Sequence, residues 1–273
     1  MSKGSLWVHL LLIVGALFMI GPFIWMLSTS VKTFGESMLV PPTLFPHSLQ
    51  FGNYWKVFER LPFLHYYWNT IIITMAKTGG QLLFCSMAAY AFARIPFPGR
   101  GILFLAVLSI LMVPSPVFII PKYLLMAKLG WLNSLNALIV PGLFSAFGTF
   151  LLRQFFMTLP RELEEAARID GCNHLYIYWR ILLPLTKPAM TAFAIFSVLG
   201  SWNELLWPLI VIRSPELRPL AAGIASFQEQ SDFASDHTLM MAGATMAVVP
   251  MLVLFILLQR HFIEGIALAG IKQ

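Results

Sequence analysis

The chain has 273 residues, of which 58% are hydrophobic and only 11% charged, and its mean hydropathy is +0.77. A soluble domain could not coat its surface with so few charges, so the composition excludes that class and indicates a polytopic membrane protein. The formal charge of +6 does not indicate a nucleic-acid partner, because the basic residues are scattered through short loops without a stripe or interleaved aromatics.

Apolar runs long enough to cross about 30 Å of hydrocarbon fall at 6–27, 68–92, 102–121, 135–152, 188–212 and 238–258, which predicts an all-α fold of six membrane-spanning helices in a single domain, 1–273, with its core at 68–260. The first run follows Lys3, exceeds a signal-peptide core and shows no small-x-small cleavage site, so a retained helix is expected and the mature chain is expected to begin where the sequence does. Segment 28–67 is rich in turn formers (Pro41-Pro42, Pro46, Gly52-Asn53) and reads as an external loop. Its aromatics Tyr54, Trp55, Tyr66, Tyr67 and Trp68 read as an interfacial belt, with contact to an extracytoplasmic binding protein as the alternative use.

Ala93 to Gly101 (ARIPFPGRG) reads as a tight turn. The third run carries Pro114, Pro116 and Pro121, and the fourth Pro141-Gly142 and Gly148; such residues favour kinks and close helix approach, static or hinged. With both termini inside, Lys3, Arg94, Arg100, Arg153, Arg161, Arg168, Arg180, Lys187, Arg260 and Lys272 face the cytoplasm. Lys32, Lys56, Arg60, Lys122, Lys128, Arg213 and Arg218 then lie outside, a bias in the sense of the positive-inside rule. Cys85 and Cys172 fall in different compartments and read as free thiols.

The segment 153–187, between the fourth and fifth runs, contains a polar island, EAARIDGCNHLYIYWRILLP. After Pro160 come Glu162, Glu164 and Glu165, acidic residues that suit a helix N-terminus. Gly171 can take the left-handed conformation that ends this helix, Asn173 can cap a second one from 174 to 182, and Leu183-Pro184 stops it. Small Ala166 and Ala167 beside Glu165 suit close entry into a partner's groove, with the carboxylate taking charge-assisted bonds from an arginine there. A helix resting on lipid headgroups is the other reading, against which the three glutamates argue.

Glu165-Ala166-Ala167, three residues, Gly171, nine residues, then Ile181, Leu183 and Pro184 resembles the EAA loop of permease subunits of bacterial ABC importers. The flanks LRQFFMTLPRELEEAARIDG and KPAM, the AFAR turn, GSWNELLWPLI at 200–210 and the ending LQRHFIEGIALAGIKQ narrow the resemblance to the carbohydrate-uptake, maltose-permease-like branch. Cys172-Asn173 and the terminal AGIKQ depart from the family's usual residues there.

The resemblance implies a multi-pass subunit of the bacterial plasma (inner) membrane, both termini cytoplasmic, paired with a homologous second permease, two ATP-binding subunits and an extracytoplasmic solute-binding protein, and bathed in membrane lipid. The island would be a cytoplasmic coupling helix, with Glu164, Glu165, Ala166, Ala167, Asp170, Gly171, Leu183 and Pro184 as its ATPase-coupling residues. The cargo would be a sugar, oligosaccharide or glycosylated polyol, with glycerol phosphate as runner-up. No phosphate loop, metal-ligand cluster or nucleophile elbow is present in the sequence, so the chain reads as no enzyme and holds no cofactor, ATP and magnesium belonging to the partner subunits.

The external loop 213–237, with Gln228, Glu229, Gln230 and Asp232, is expected to meet the binding protein or to be a solvated linker. The transport path is expected beside Trp202, Asn203 and Glu204 in the fifth helix, with Asn69 and Lys77 from the second; helix bracing is the other use of these groups. Lys77 and Glu204 each cost about 2.5–3.5 kcal/mol at mid-bilayer. Each lies nine residues in from an outer boundary, at Trp68 and Arg213 respectively, and that equal depth suggests a pair. An outward-reaching lysine and a glutamate in a wet cavity would also satisfy them. A secondary transporter is the rival from another class, but it would need coupling carboxylates within the spans and often inverted repeats, and Glu204 alone, with no repeat, argues against it.

Overall fold

The structure is a computed structural model that describes residues 3–226 and 236–270, with side chains described for 7–226, 236–253 and 255–256. The proposed binding-protein contacts Gln228, Glu229, Gln230 and Asp232 lie outside the described residues. The described residues are helical and contain no strand. The helices are α1 (Lys3–Ser30), α2 (Gly52–Arg60), α3 (Phe63–Arg94), α4 (Arg100–Met112), α5 (Ile119–Lys128) and α6 (Leu135–Ile139). They continue as α7 (Ala146–Thr158), α8 (Glu162–Ile169), α9 (His174–Leu185), α10 (Lys187–Trp202), α11 (Leu206–Val211), α12 (Leu220–Ala225) and α13 (His237–Gly270).

Among the described residues three helical stretches, Trp7–Ser30, Phe63–Arg94 and Leu135–Thr158, are long and apolar enough to cross a membrane, and the number rises to five if each of two bent pairs is one span. The sixth expected span falls on α13, whose described apolar part is His237–Val253.

The chain divides into two compact units, 1–64 with 220–252 and 65–219 with 253–273. In the first, α1 is exposed on all sides from Trp7 to Ile24. The segment after it, expected as a loop, is tied down by buried polar groups. Asn53 donates to the carbonyls of Ser30 at 3.0 Å and Lys32 at 2.8 Å, the Lys32 ammonium donates to the Thr43 carbonyl, and Glu36 accepts from the His47 N–H at 2.8 Å. Val57, Leu61, Ile224 and Leu239 pack together beneath it.

The second unit is organised by prolines. Pro114 and Pro116 supply no N–H to a continuing helix, and Val113, held extended before proline (φ −91°, ψ 124°), turns the chain so that α4 and Ser115–Lys128 meet at 104°. The run at 102–121 is therefore not one straight span. Between α6 and α7, Pro141 cannot bond the carbonyl of Ala137, and the Trp207 indole N–H takes that carbonyl instead at 2.9 Å. The run at 188–212 is broken as well. The Pro208 ring would strike the carbonyl of Glu204 in a continuous helix, so α10 ends at Trp202 and α11 begins at Leu206.

Two apolar cores result, one at the Arg94 end of α3 around Tyr90, Leu152, Phe156, Tyr178 and Phe193, the other around Ile73, Leu138, Trp207 and Val211. Tyr66, expected in an aromatic belt, is buried, whereas Trp55 and Trp68 are exposed as expected.

Candidate functional site

The second unit carries two polar sites, one midway along α3 and one at its Arg94 end. The first is a cavity of about 340 Å³ formed where the broken helices leave space. Lys77 and Gln81 of α3, Lys122 of α5 and Glu204 and Trp207 around the α10–α11 break line it, with Phe147, Phe193 and Phe196 as apolar walls. Lys77 and Glu204 form an ion pair; the lysine side chain is 7% exposed and the carboxylate 29%, so the glutamate is the partner that opens to the cavity.

The placement of Lys77 depends on Gly142. A Cβ there would run into the lysine's methylenes, so glycine lets the stem lie across the α6–α7 break without being displaced. Gln81 donates to the Gly142 carbonyl at 2.7 Å, and the hydroxyls of Thr78 and Ser197 meet at 3.0 Å, fastening α3 to both the break and α10.

Of the five residues expected on the path, the structure brings Lys77 and Glu204 together on the cavity. Trp202 and Asn203 are not among its lining residues. The Asn203 amide donates back to the Leu199 carbonyl at 2.9 Å, at the end of α10. Asn69 is buried and holds the segment after α11, donating to the carbonyls of Glu216 at 2.6 Å and Arg218 at 3.2 Å. Lys122, read from sequence as an external loop cation, lies on the cavity wall with its ammonium 3.6 Å from the centroid of the Trp207 ring. The signal that could have found it was Pro114-Ser115-Pro116, which shifts everything after it off the axis of α4.

The second site is the island. α8 ends at Gly171, whose φ of +80° is the left-handed cap expected, and Asn173 caps α9 by accepting from the Tyr176 N–H at 2.8 Å. α9 runs on to Leu185, past the expected stop, by widening into a π-helical stretch at Ile177–Leu182; the wider turn accommodates Pro184, which has no N–H to return. The chain then turns by 79° into α10.

The coupling residues expected on this island divide into two sets. Glu165, Ala166, Asp170, Gly171 and Pro184 are exposed, and Leu183 is half-buried. Glu164 and Ala167 are each 5% exposed and face the chain's own interior. The smallness of Ala167 is thus used in packing against the core at the Arg94 end. Glu164 stands 3.2 Å from Arg94 Nε and 3.7 Å from Arg168. Because the Arg94 Nε–H points at the Phe156 carbonyl, 3.0 Å away, the contact with Glu164 is coulombic, and Glu164 Oε1 accepts no hydrogen bond. Arg94 also reaches the Leu159 carbonyl, so one guanidinium closes the C-terminus of α7 and anchors α8. Ile169 is 86% exposed, and Leu175 is exposed as well.

Residues 81–267, which include the island and all of the cavity lining except Lys77, match the family described as "Binding-protein-dependent transport system inner membrane component". The chain is 38% identical over 229 residues to the arabinooligosaccharides transport system permease protein of Halalkalibacterium halodurans, covering 83% of this chain and 81% of that one. It is 33% identical over 264 residues to the sn-glycerol-3-phosphate transport system permease protein of Pectobacterium atrosepticum, covering 94% of each. The sulfoquinovosyl glycerol transport system permease protein of Agrobacterium fabrum is 31% identical over 264 residues, covering 96% of this chain and 91% of that one. A crystal structure of a bacterial ABC transporter involved in the import of the acidic polysaccharide alginate contains a chain that superposes with a TM-score of 0.86 at 25% identity, covering 96% of this chain and 99% of that one.

Proposed function

We propose a division of labour for this chain, which belongs to the family of binding-protein-dependent transport system inner membrane components and is a permease subunit of a sugar-importing ABC transporter. The cavity around Lys77 and Glu204 forms this subunit's part of the solute path, and α8 with α9 forms the docking element for an ATP-hydrolysing partner. The observation that carries the second assignment is the exposed set Glu165, Ala166, Ile169, Asp170 and Gly171 on a short helix that Arg94 and Glu164 anchor from behind. An exposed isoleucine and a small alanine beside a carboxylate suit a protein groove better than water.

In this reading ATP and magnesium stay on two separate subunits, a second permease completes the path, and a binding protein delivers the solute at the far side. Both chain ends and the island lie in the cytoplasm, and Gln228, Glu229, Gln230 and Asp232 face the binding protein. The cargo is a sugar, oligosaccharide or glycosylated polyol; glycerol phosphate is the second reading, favoured by the excess of lysine over glutamate on the cavity wall.

Lys77 lies about 25 Å along α3 from Arg94, so α3 and α10 both connect the docking end with the cavity. A tilt imposed on α8 by closure of the ATPases reaches the Lys77–Glu204 pair through these two helices. The test is Ala166→Trp, which adds bulk to the exposed face without entering the core. ATPase subunits should be lost from the purified complex, or ATP hydrolysis should proceed without uptake, while the chain still inserts. Normal assembly and normal uptake by Ala166→Trp would remove the docking assignment.

A further inference from the structure

Lys122 is a cation with no counterion of its own, attracted only by the Glu204 carboxylate that Lys77 already holds. Among the described residues its ammonium forms no ion pair and no hydrogen bond, and its close contact is the face of Trp207. Glu204, the one carboxylate lining the cavity, is already engaged by Lys77. Two lysines against one glutamate leave the lining with one uncompensated positive charge.

Trp207 is itself fixed, because its indole N–H is bonded to the Ala137 carbonyl at 2.9 Å, so the ring is a rigid seat for the ammonium. A cation over an aromatic face is stabilised, but less than one that donates to an anion through charge-assisted hydrogen bonds. A solute's anionic group entering this cavity is what would satisfy Lys122. The volume of about 340 Å³ falls within the range of small-molecule sites. Ser145, Ser197 and Ser201 also line the cavity, and their hydroxyls, each holding one hydrogen bond within the protein, have capacity left for a polyhydroxylated remainder.

We propose that the cavity takes an anionic solute, a sugar or polyol bearing a carboxylate, phosphate or sulfonate, and that Lys122 receives the anionic group. The inference rests on the permease reading and specifies its cargo class. Lys77, held by Glu204, positions the carboxylate rather than the solute.

The test uses the complete importer, this chain with its second permease, ATPases and binding protein, in phosphatidylcholine nanodiscs and in proteoliposomes. The probes are sn-glycerol 3-phosphate and digalacturonate, with glycerol and a neutral galactose disaccharide as uncharged counterparts. Acylation of Lys122 by a water-soluble amine reagent, read by peptide mass spectrometry, should be slowed by an anionic probe and not by its uncharged counterpart. In uptake, Lys122→Gln should raise the KM for the anionic probe by about tenfold or more, while Lys122→Arg keeps the preference for it. Protection by phosphatidylglycerol discs but by neither anionic probe would assign the site to a lipid headgroup and overturn the proposal. ATP-driven uptake of the neutral disaccharide with no protection by either anion would overturn it while leaving the permease reading intact. Uptake of no probe, with Lys122 unprotected throughout, would overturn both.

Discussion

Helix α3 carries two buried ion pairs, and they are built differently. At one end Arg94 and Glu164 have side chains 5% and 6% exposed, and the guanidinium also closes two carbonyls of the α7 terminus. Midway along, Lys77 is as deeply buried, but Glu204 is 29% exposed and sits in a break between helices, beside a cavity. The first pair is a joint: both charges are buried, and Glu164 has only the half-exposed Arg168, 3.7 Å away, as a second cation. The second has one partner open to the cavity and held by backbone that is already unwound, so it can be exchanged at lower cost.

The largest difference should appear when each pair loses one member. Arg94→Met leaves Glu164 buried with only the half-exposed Arg168 beside it, and should destabilise the protein by up to about 3–5 kcal/mol, read as a fall in the thermal midpoint in detergent. Arg94→Met with Glu164→Leu should recover much of that, since no stranded charge remains. Lys77→Met should cost less, about 1.5–3 kcal/mol, because cavity water can reach Glu204. Its main effect should be on uptake, and adding Glu204→Gln should restore stability more than transport. Single and double mutants with equal, additive defects would show that the two residues do not act as a pair.

Gly142→Ala tests the same pair without touching a charge. The added Cβ meets the Lys77 stem, so a cost of about 1–3 kcal/mol is expected, together with a loss of uptake resembling that of Lys77→Met. The smallest effect should come from Asn173→Ala at the docking end, about 1 kcal/mol from the lost cap of α9, measured by faster amide hydrogen exchange at 174–177.

How much of this was legible in the sequence depended on whether the signal was local. Gly171 and Asn173 act within a few residues of themselves, and the turn between α8 and α9 was read correctly. The pairing of Lys77 with Glu204 was approached from equal depth and opposite charge, and the structure brings the two together. The break that holds Glu204 was missed, because a hydropathy run counts apolar side chains and ignores missing backbone donors; Pro208, four residues on, was the available sign. The place of Lys122 on the cavity wall was missed because a 104° bend is a tertiary quantity, although its prolines were plain. Ala167 shows a different limit. A small residue on a predicted surface helix fits a partner's groove or the chain's own core equally well until the neighbouring helices are in place.

Helix α1 has the opposite character from these crowded positions. From Trp7 to Ile24 every residue is exposed, so no side chain there is fitted against a described neighbour. Within this chain, packing therefore constrains the hydropathy of that segment more than the identity of its residues. Leu, Ile, Val, Phe and Met should interchange more freely along α1 than residues larger than glycine are accepted at Gly142, with a lysine stem lying across it. A deep mutational scan scored by uptake would record the contrast as a flat stretch beside a single sharp minimum.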